Sequence, residues 1–158
     1  MWREISRKNK AIPTEECIEL LTRETRGVLS VNGDDGYPYA MPLNHYYEAE
    51  DGCVYFHSGR YGHKIDAIGR SDKASFCVVE AGVRETDDWA YTVRSVIVFG
   101  RIEIVEDAER VAEITACLSR KFTSDEEYIA EEIEKFLKAT VLLKLTPEHI
   151  TGKRIKES

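Results

Sequence analysis

Several features that mark particular classes of protein are absent or scarce in this chain of 158 residues. No apolar run approaches the length of a membrane span, and the first residues, MWREISRKNKAIP, lack the apolar core of a secretory signal. The four cysteines form no C-x-x-C pair, and a chain of this length can build its core without disulfides, which favours reduced thiols. Basic residues are outnumbered 22 to 29, and a formal net charge of -7 argues against a basic face for nucleic acid or an anionic membrane. We therefore expect a cytoplasmic protein with reduced thiols and with neither of those partners.

The composition is that of an ordinary folded domain. Hydrophobic residues make up 42% of the chain and charged residues 32%, which is too apolar for a disordered protein. The length suits one domain with its own core, and no internal repeat divides it. We predict a single domain over residues 1–158, in which residues 1–12 form a polar N-terminal arm.

Short segments with strand character dominate the sequence. Residues 28–47, interrupted by the turn NGDDG, are predicted to form a hairpin with a long extended second half. Four further strands are predicted from the segments CVYFHS, KASFCVVE, VRSVIVFGRIEIVED and TVLLKLT. Helical spacing predicts a short helix over residues 61–69 and longer helices capped by Thr14, Asp107 and Ser124. Six strands joined by short turns indicate antiparallel pairing, so the fold class is α+β or a β-barrel with appended helices.

The centre of the longest predicted strand is apolar on both of its faces. Residues Val96–Phe99 therefore need cover on the side that does not face the core. Either the helices predicted between residues 108 and 137 or a second copy of the chain could supply that cover.

Two prolines interrupt the extended second half of the hairpin. Pro38 and Pro42 lie four residues apart, so both remove amide donors on the same side of the strand. A central strand would not tolerate this loss, and the pattern predicts an edge, a bulge or an opening in the sheet. That side is either a protected edge or a place where a flat ligand meets the backbone.

The segment YFHSGRYGHKID, residues 55–66, runs from a predicted strand into a predicted helix. If Val54 and Phe56 enter the core, alternation directs His57 to the opposite face. The helix begins near Gly62, where its free amides attract anions, and Lys64 adds a full positive charge. The junction is therefore a candidate phosphate cradle, unless its polar residues are simply solvated on a surface helix.

Metal and hydrolase chemistry are less well supported. Cys53, His57 and His63 are the nearest candidate ligands, but they lack the paired spacing of a zinc site, and we predict no metal. His57 and Ser58 are neighbours on opposite strand faces, and no G-x-S-x-G segment occurs.

Four segments, in this order, resemble the pyridoxamine 5'-phosphate oxidase-like flavoproteins, and among them most closely the 5-nitroimidazole resistance branch. They are GVLSVNGDDGYPYAMPLNHYY, VYFHSGRYGHKIDAIGRSDKASFCVV, RSVIVFGRIEIVED and ITGK. The resemblance extends over about residues 12–153. It implies a mainly β (α+β) fold, namely a six-stranded antiparallel split β-barrel with peripheral helices.

The resemblance also implies FMN as the cofactor, bound between the protomers of a homodimer. The predicted cofactor-binding residues come from four parts of the family pattern. These parts are the strand along the flavin ring, the strand end beside it, the basic pair at the phosphate and a segment that faces the cleft. The predicted residues are Tyr39, Ala40, Met41, Pro42, Leu43, Phe56, His57, Ser58, His63, Lys64, Arg94, Ser95 and Val96.

Two departures from the family pattern shape the predicted function. The basic pair is His63–Lys64 here, whereas the corresponding pair of the true oxidases looks like Arg-Lys. The C-terminus ITGKRIKES lacks the Arg- and His-bearing segment with which those oxidases bind their substrate. We therefore predict an FMN-dependent oxidoreductase that reduces small planar, nitroaromatic-like acceptors, with His57 as the catalytic residue and His45 as the next candidate. The alternatives are a non-catalytic flavin- or haem-binding or sensing protein and a deazaflavin-dependent reductase.

Overall fold

The computed structural model describes residues 1–157 as one antiparallel sheet with four α-helices around it. The strands are β1 (Arg26–Asn32), β2 (Pro38–Asn44), β3 (Tyr46–Glu48), β4 (Cys53–Gly59), β5 (Lys73–Val79), β6 (Val83–Arg84), β7 (Tyr91–Val105) and β8 (Thr140–Lys156). The helices are α1 (Thr14–Arg23), α2 (His63–Arg70), α3 (Ala108–Ser119) and α4 (Glu126–Phe136), and short 3-10 turns lie at Lys8–Lys10, Asp34–Gly36 and Leu137–Ala139. The strand order is β2-β1-β5-β7-β8-β4-β3, with β6 paired to β7.

The sheet is a split barrel whose two ends are joined through a single residue. β2 and β3 are the two ends of the strand order, and only His45 separates them in the sequence. The long extended second half predicted for the hairpin is therefore wrong in one respect, because the chain leaves β1 at His45 and pairs with β4 afterwards. The chain itself connects β2 to β3 at this corner, but the two strands are not paired with each other, so one side of β2 is left open.

Eight strands replace the six that the sequence predicts, and the antiparallel α+β fold is confirmed. The two additional strands are the short β3 and β6. β8 also extends to Lys156, well beyond the predicted segment TVLLKLT. Its second half is held by β7, which pairs with it as far as Thr92–Lys156.

The core lies inside the barrel and follows the strand alternation. Phe56 and Phe76 are buried there and pack edge to face, with ring centroids 4.9 Å apart. Leu20 and Leu21 of α1 are also fully buried, so this helix closes one side of the barrel. The arm joins β8 through a hydrogen bond of 3.0 Å from the Ile12 amide to the Gly152 carbonyl.

The helix caps differ in part from those predicted. Asp107 caps α3 as predicted, because its side chain accepts a hydrogen bond from the Arg110 amide. Thr14 is instead the first residue of α1, and Asp125 rather than Ser124 caps α4. Each shift is one residue, which is the usual uncertainty of a helix boundary.

The outer face of β1, β5 and β7 is apolar and exposed. Register aligns Val28, Cys77 and Ile97 in one row, and Phe99 lies nearby on the same face. Helix α3 packs on β3, β4 and β8 instead, and Ile97 and Phe99 remain exposed, so of the two alternatives for cover of β7 the helices between residues 108 and 137 do not supply it. In the described part of the chain, no helix is long and apolar enough to cross a membrane.

Candidate functional site

His57 occupies the predicted position at the end of β4. Val54 and Phe56 are fully buried in the barrel, while His57 points outward and is exposed, as strand alternation predicts. Cys53 and Tyr55 share the outward face with His57, and they are buried under α3. His57 therefore lies where the helical cover of that face ends.

One pocket lies between His57 and the free side of β2. This edge pocket has a volume of about 480 Å³ and is lined by Arg26, Pro42, Leu43, Asn44 and His57. β2 pairs only with β1, which confirms the predicted edge strand. Pro38 and Pro42 have no amide hydrogen to donate to β1. The side of β2 on which their nitrogens lie therefore faces the opening and not β1.

A second pocket lies on the other side of His57. This helical pocket has a volume of about 390 Å³ and is bounded by the ends of β4 and β8 and by α3 and α4. His57 and Ser58 form its wall toward the strands. The imidazole ring is thus common to both pockets.

The predicted basic pair stands at the start of α2. The amides of the first turn of a helix have no intrahelical partners. The N-cap position of α2 is Gly62, so these amides also lack a cap from the side chain of that residue. His63 stacks on Tyr39 with ring centroids 4.0 Å apart, and its Nε2 lies 3.6 Å from a carboxylate oxygen of Asp34. Asp34 also pairs with Arg70, which offsets its negative charge beside the helix start.

Lys64 and Arg26 are cations without a carboxylate partner in the described part of the chain. Arg26 donates instead to the side-chain oxygen of Asn44 at 3.3 Å. Partial desolvation lowers the pKa of His57, and the positive charge of Lys64 lowers it further. His57 is therefore a neutral imidazole near neutral pH, with one N–H to donate and one nitrogen to accept.

Arg94, Ser95 and Val96 lie on β7, away from both pockets. Arg94 is held by Glu80 at 3.1 Å and by Glu16 at 3.2 Å, and Val96 is buried in the core. The structure of one chain therefore does not bring this segment to His57. Its contact with a cofactor requires a second copy of the chain and stays a prediction.

The side chains of several predicted cofactor residues face the core. Met41 and Phe56 are buried, so they can meet a ligand only through their backbone. Ser58 is also buried, and its hydroxyl donates to the Gly59 carbonyl at 3.0 Å. These roles remain predictions.

His45 cannot take the second catalytic role that the sequence suggests. It is fully buried, its Nε2 lies 2.8 Å from the Leu21 carbonyl, and its ring packs on the edge of Phe76. Burial lowers the pKa of His45 to about 4, and the nearby Lys121 charge adds to the effect. His45 is a structural residue at the corner that joins β2 to β3.

Two parts of the site were not predicted from the sequence. Arg26 lines the edge pocket because β1 pairs with β2 in the register Arg26–Asn44. Thr115 and Glu132 line the helical pocket, although they are far from residue 57 in the chain. Within residues 1–157, no group of three or more metal-ligating side chains is placed to hold an ion.

The open edge strand and the strand-to-helix junction define a split-barrel protein with an open groove beside β2. The sequence profile of the pyridoxamine 5'-phosphate oxidase family matches residues 13–154, and the chain belongs to this family. A comparison with curated proteins found no match.

Solved structures share the fold. A candidate 5-nitroimidazole antibiotic resistance protein from Bacteroides thetaiotaomicron is 20% identical, with a TM-score of 0.76, over 93% of this chain and 87% of that one. An FAD-binding protein from Mesorhizobium loti is 23% identical, with a TM-score of 0.66, over 92% and 97% of the two chains. An FAD- and haem-binding protein from Mycobacterium smegmatis is 22% identical, with a TM-score of 0.70, over 91% and 72%.

Proposed function

We propose that the protein is an FMN-dependent oxidoreductase that reduces small planar, nitroaromatic-like acceptors. The observation that carries the proposal is the edge pocket itself. An open strand side faces His57 across it, and a cation without a carboxylate partner, Lys64, stands close enough to lower the pKa of His57. The fold shared with flavin-binding proteins supports a flavin as the ligand.

The residues present suit a flavin phosphate and a flat ring. The free amides at the start of α2 and the Lys64 ammonium would hold the phosphate, because both favour negative charge. The free carbonyls and remaining amides of β2 would face the ring edge, where the prolines leave room. When bound, the flavin supplies hydride or single-electron transfer, and the protein binds and orients it.

His57 is proposed to contact the acceptor. Its ring borders both pockets, so a ligand in either one reaches it. As a neutral imidazole, His57 donates one hydrogen bond. It becomes a proton donor to an acceptor oxygen only as the pH falls toward its lowered pKa. Acceptor reduction should therefore become faster on mild acidification.

We also propose that the protein is a homodimer formed through the outer face of β1, β5 and β7. Val28, Ile97 and Phe99 are exposed there side by side, and a second copy would remove them from water. Such a partner would also give the Arg94 segment a route to the cofactor of the other protomer. We propose a cytoplasmic setting, which the four free cysteines support.

The C-terminal residues argue against oxidation of pyridoxamine 5'-phosphate. Residues 152–156 are paired with β7 throughout, and Arg154 forms an ion pair with Glu16. The segment therefore has no free arginine or histidine for a second phosphate.

FMN titration of the purified chain tests the proposal. Flavin fluorescence should be quenched on binding with a micromolar or lower dissociation constant, and Lys64→Gln should weaken binding by about tenfold, or about 1.4 kcal/mol. Lys73→Gln is the matched control, because Lys73 is an exposed lysine beyond the far end of α2. Wild-type protein that does not bind FMN, or equal losses in both variants, would contradict the proposal.

A further inference from the structure

We infer that the helical pocket between α3, α4 and the end of β4 is the acceptor-binding pocket, and that it takes a small, mainly apolar molecule without negative charge. The inference rests on the proposed function, since it names the substrate class of the same site. It assigns the cofactor to the edge pocket and the acceptor to the opposite side of His57.

The walls of the helical pocket are mainly apolar. Val111 of α3 and Ile133 of α4 line it, together with Phe136 and Leu137 where α4 ends. A volume of about 390 Å³ lies in the range of small-molecule sites and is enough for a substituted aromatic ring. Burial of such a ring against these side chains would supply most of the binding free energy.

Few polar groups remain free inside this pocket. The Ser119 hydroxyl donates to the Thr115 carbonyl at 2.8 Å, and the Thr140 hydroxyl donates to the Phe136 carbonyl at 2.9 Å. The Thr115 hydroxyl is the exception, because it is shielded from solvent and has no hydrogen-bond partner among residues 1–157. Rotation about its χ1 bond would turn this hydroxyl toward a ligand, since threonine in a helix divides between two rotamers.

The charge of the pocket opposes an anionic ligand. Glu132 lines it, its side chain is 40% exposed, and its one ion pair among residues 1–157, with Lys135, is long at 3.9 Å. No lysine or arginine is among the described residues that line the pocket. A carboxylate or phosphate ester would therefore meet a like charge without a compensating cation, whereas a neutral molecule would not.

The position of His57 links the pocket to the chemistry. A ligand seated between Ile133 and Thr115 would lie against the same imidazole ring that borders the edge pocket. The two pockets could therefore hold the flavin and the acceptor at the same time, on either side of the His57 ring. This arrangement suits single-electron transfer past the ring, with His57 supplying the proton, and does not suit direct hydride transfer. The residues of α3 and α4 would then determine specificity without touching the cofactor.

Binding of two matched probes tests the inference on the purified full chain, with and without FMN. The probes are 4-nitrobenzyl alcohol, which is uncharged, and 4-nitrobenzoate, which is an anion, and saturation-transfer NMR or calorimetry measures their affinity. Ile133→Trp should weaken binding of the alcohol by about tenfold and leave the FMN affinity within about twofold. Ala130→Trp, at an exposed position of the same helix, is the matched control and should change neither affinity.

Charge is tested by a second variant that does not disturb packing. The wild-type chain should bind the alcohol about tenfold more tightly than the benzoate, and Glu132→Gln should reduce that preference. The inference is overturned if Ile133→Trp leaves the alcohol affinity unchanged, if the two probes bind equally, or if the wild-type chain does not bind the alcohol. The wild-type chain could also bind the alcohol but not FMN, and lose alcohol binding in Ile133→Trp. In that case the proposed function fails, while the assignment of the helical pocket to a small neutral ligand stands.

Discussion

The buried His45 predicts a loss of stability in mild acid. Its pKa falls from the ordinary 6.5 to about 4, first because burial disfavours the charged ring and then because Lys121 lies nearby. Between these values the unfolded chain binds a proton at this residue and the folded chain does not. Stability contributed by the neutral ring is therefore complete above the unfolded pKa and is lost as the pH falls through this window.

The magnitude follows from the size of the shift. At about pH 5 the proton favours the unfolded state by about 2 kcal/mol, and below about pH 4 by about 3 kcal/mol, at about 1.4 kcal/mol for each pKa unit. The substitution His45→Gln keeps a donor for the Leu21 carbonyl, which His45 now meets at 2.8 Å, but removes the titration. It also loses the edge contact with Phe76, so the variant should be less stable at every pH.

Urea unfolding at a series of pH values measures the effect. The unfolding free energy of the wild-type chain should fall by about 2 kcal/mol more than that of His45→Gln between about pH 8 and about pH 5. Parallel pH profiles for the wild-type chain and His45→Gln would contradict a lowered pKa of His45 in the folded state.

Three further predictions concern the site, the barrel and the assembly. Lys64→Gln should raise the pKa of His57, because one of the two causes of its depression is removed, and NMR titration of the imidazole proton would detect the change. Gly100→Ala should lower the unfolding free energy by about 3 kcal/mol or more, since a Cβ there would overlap a backbone carbonyl of β8. Gly69→Ala has open space and should cost nothing, so equal thermal shifts in both variants would contradict this account. Phe99→Glu should convert the proposed dimer to monomers in light scattering, and a wild-type mass of one chain would rule out the dimer.

Local pattern was enough to predict the strand-to-helix junction. A strand places alternate residues on opposite faces, so the burial of Val54 and Phe56 followed from their chemistry and fixed the direction of His57. The edge position of β2 followed in the same way from Pro38 and Pro42, because a central strand requires their missing amide hydrogens. These features depend on residues within a few positions of one another.

Features that depend on distant segments were not predictable in this way. The helical pocket joins α3 and α4 to β4, and nothing within α4 indicates that Ile133 and Glu132 face His57. The break at His45 has the same origin, because its burial requires α1 and Phe76 to be in place. The second half of β8 is a polar segment whose strand form is set by pairing with β7.

FMN is proposed to bind in the groove between β2 and His57. The most direct test is the visible absorbance spectrum of the purified protein, followed by release of the chromophore with denaturant and its identification by mass. The purified protein is expected to show a flavin spectrum and to release FMN in nearly equimolar amount to the chain. A colourless protein that also fails to bind added FMN would contradict the proposal, and a Soret band or a released deazaflavin would assign the groove to a different cofactor.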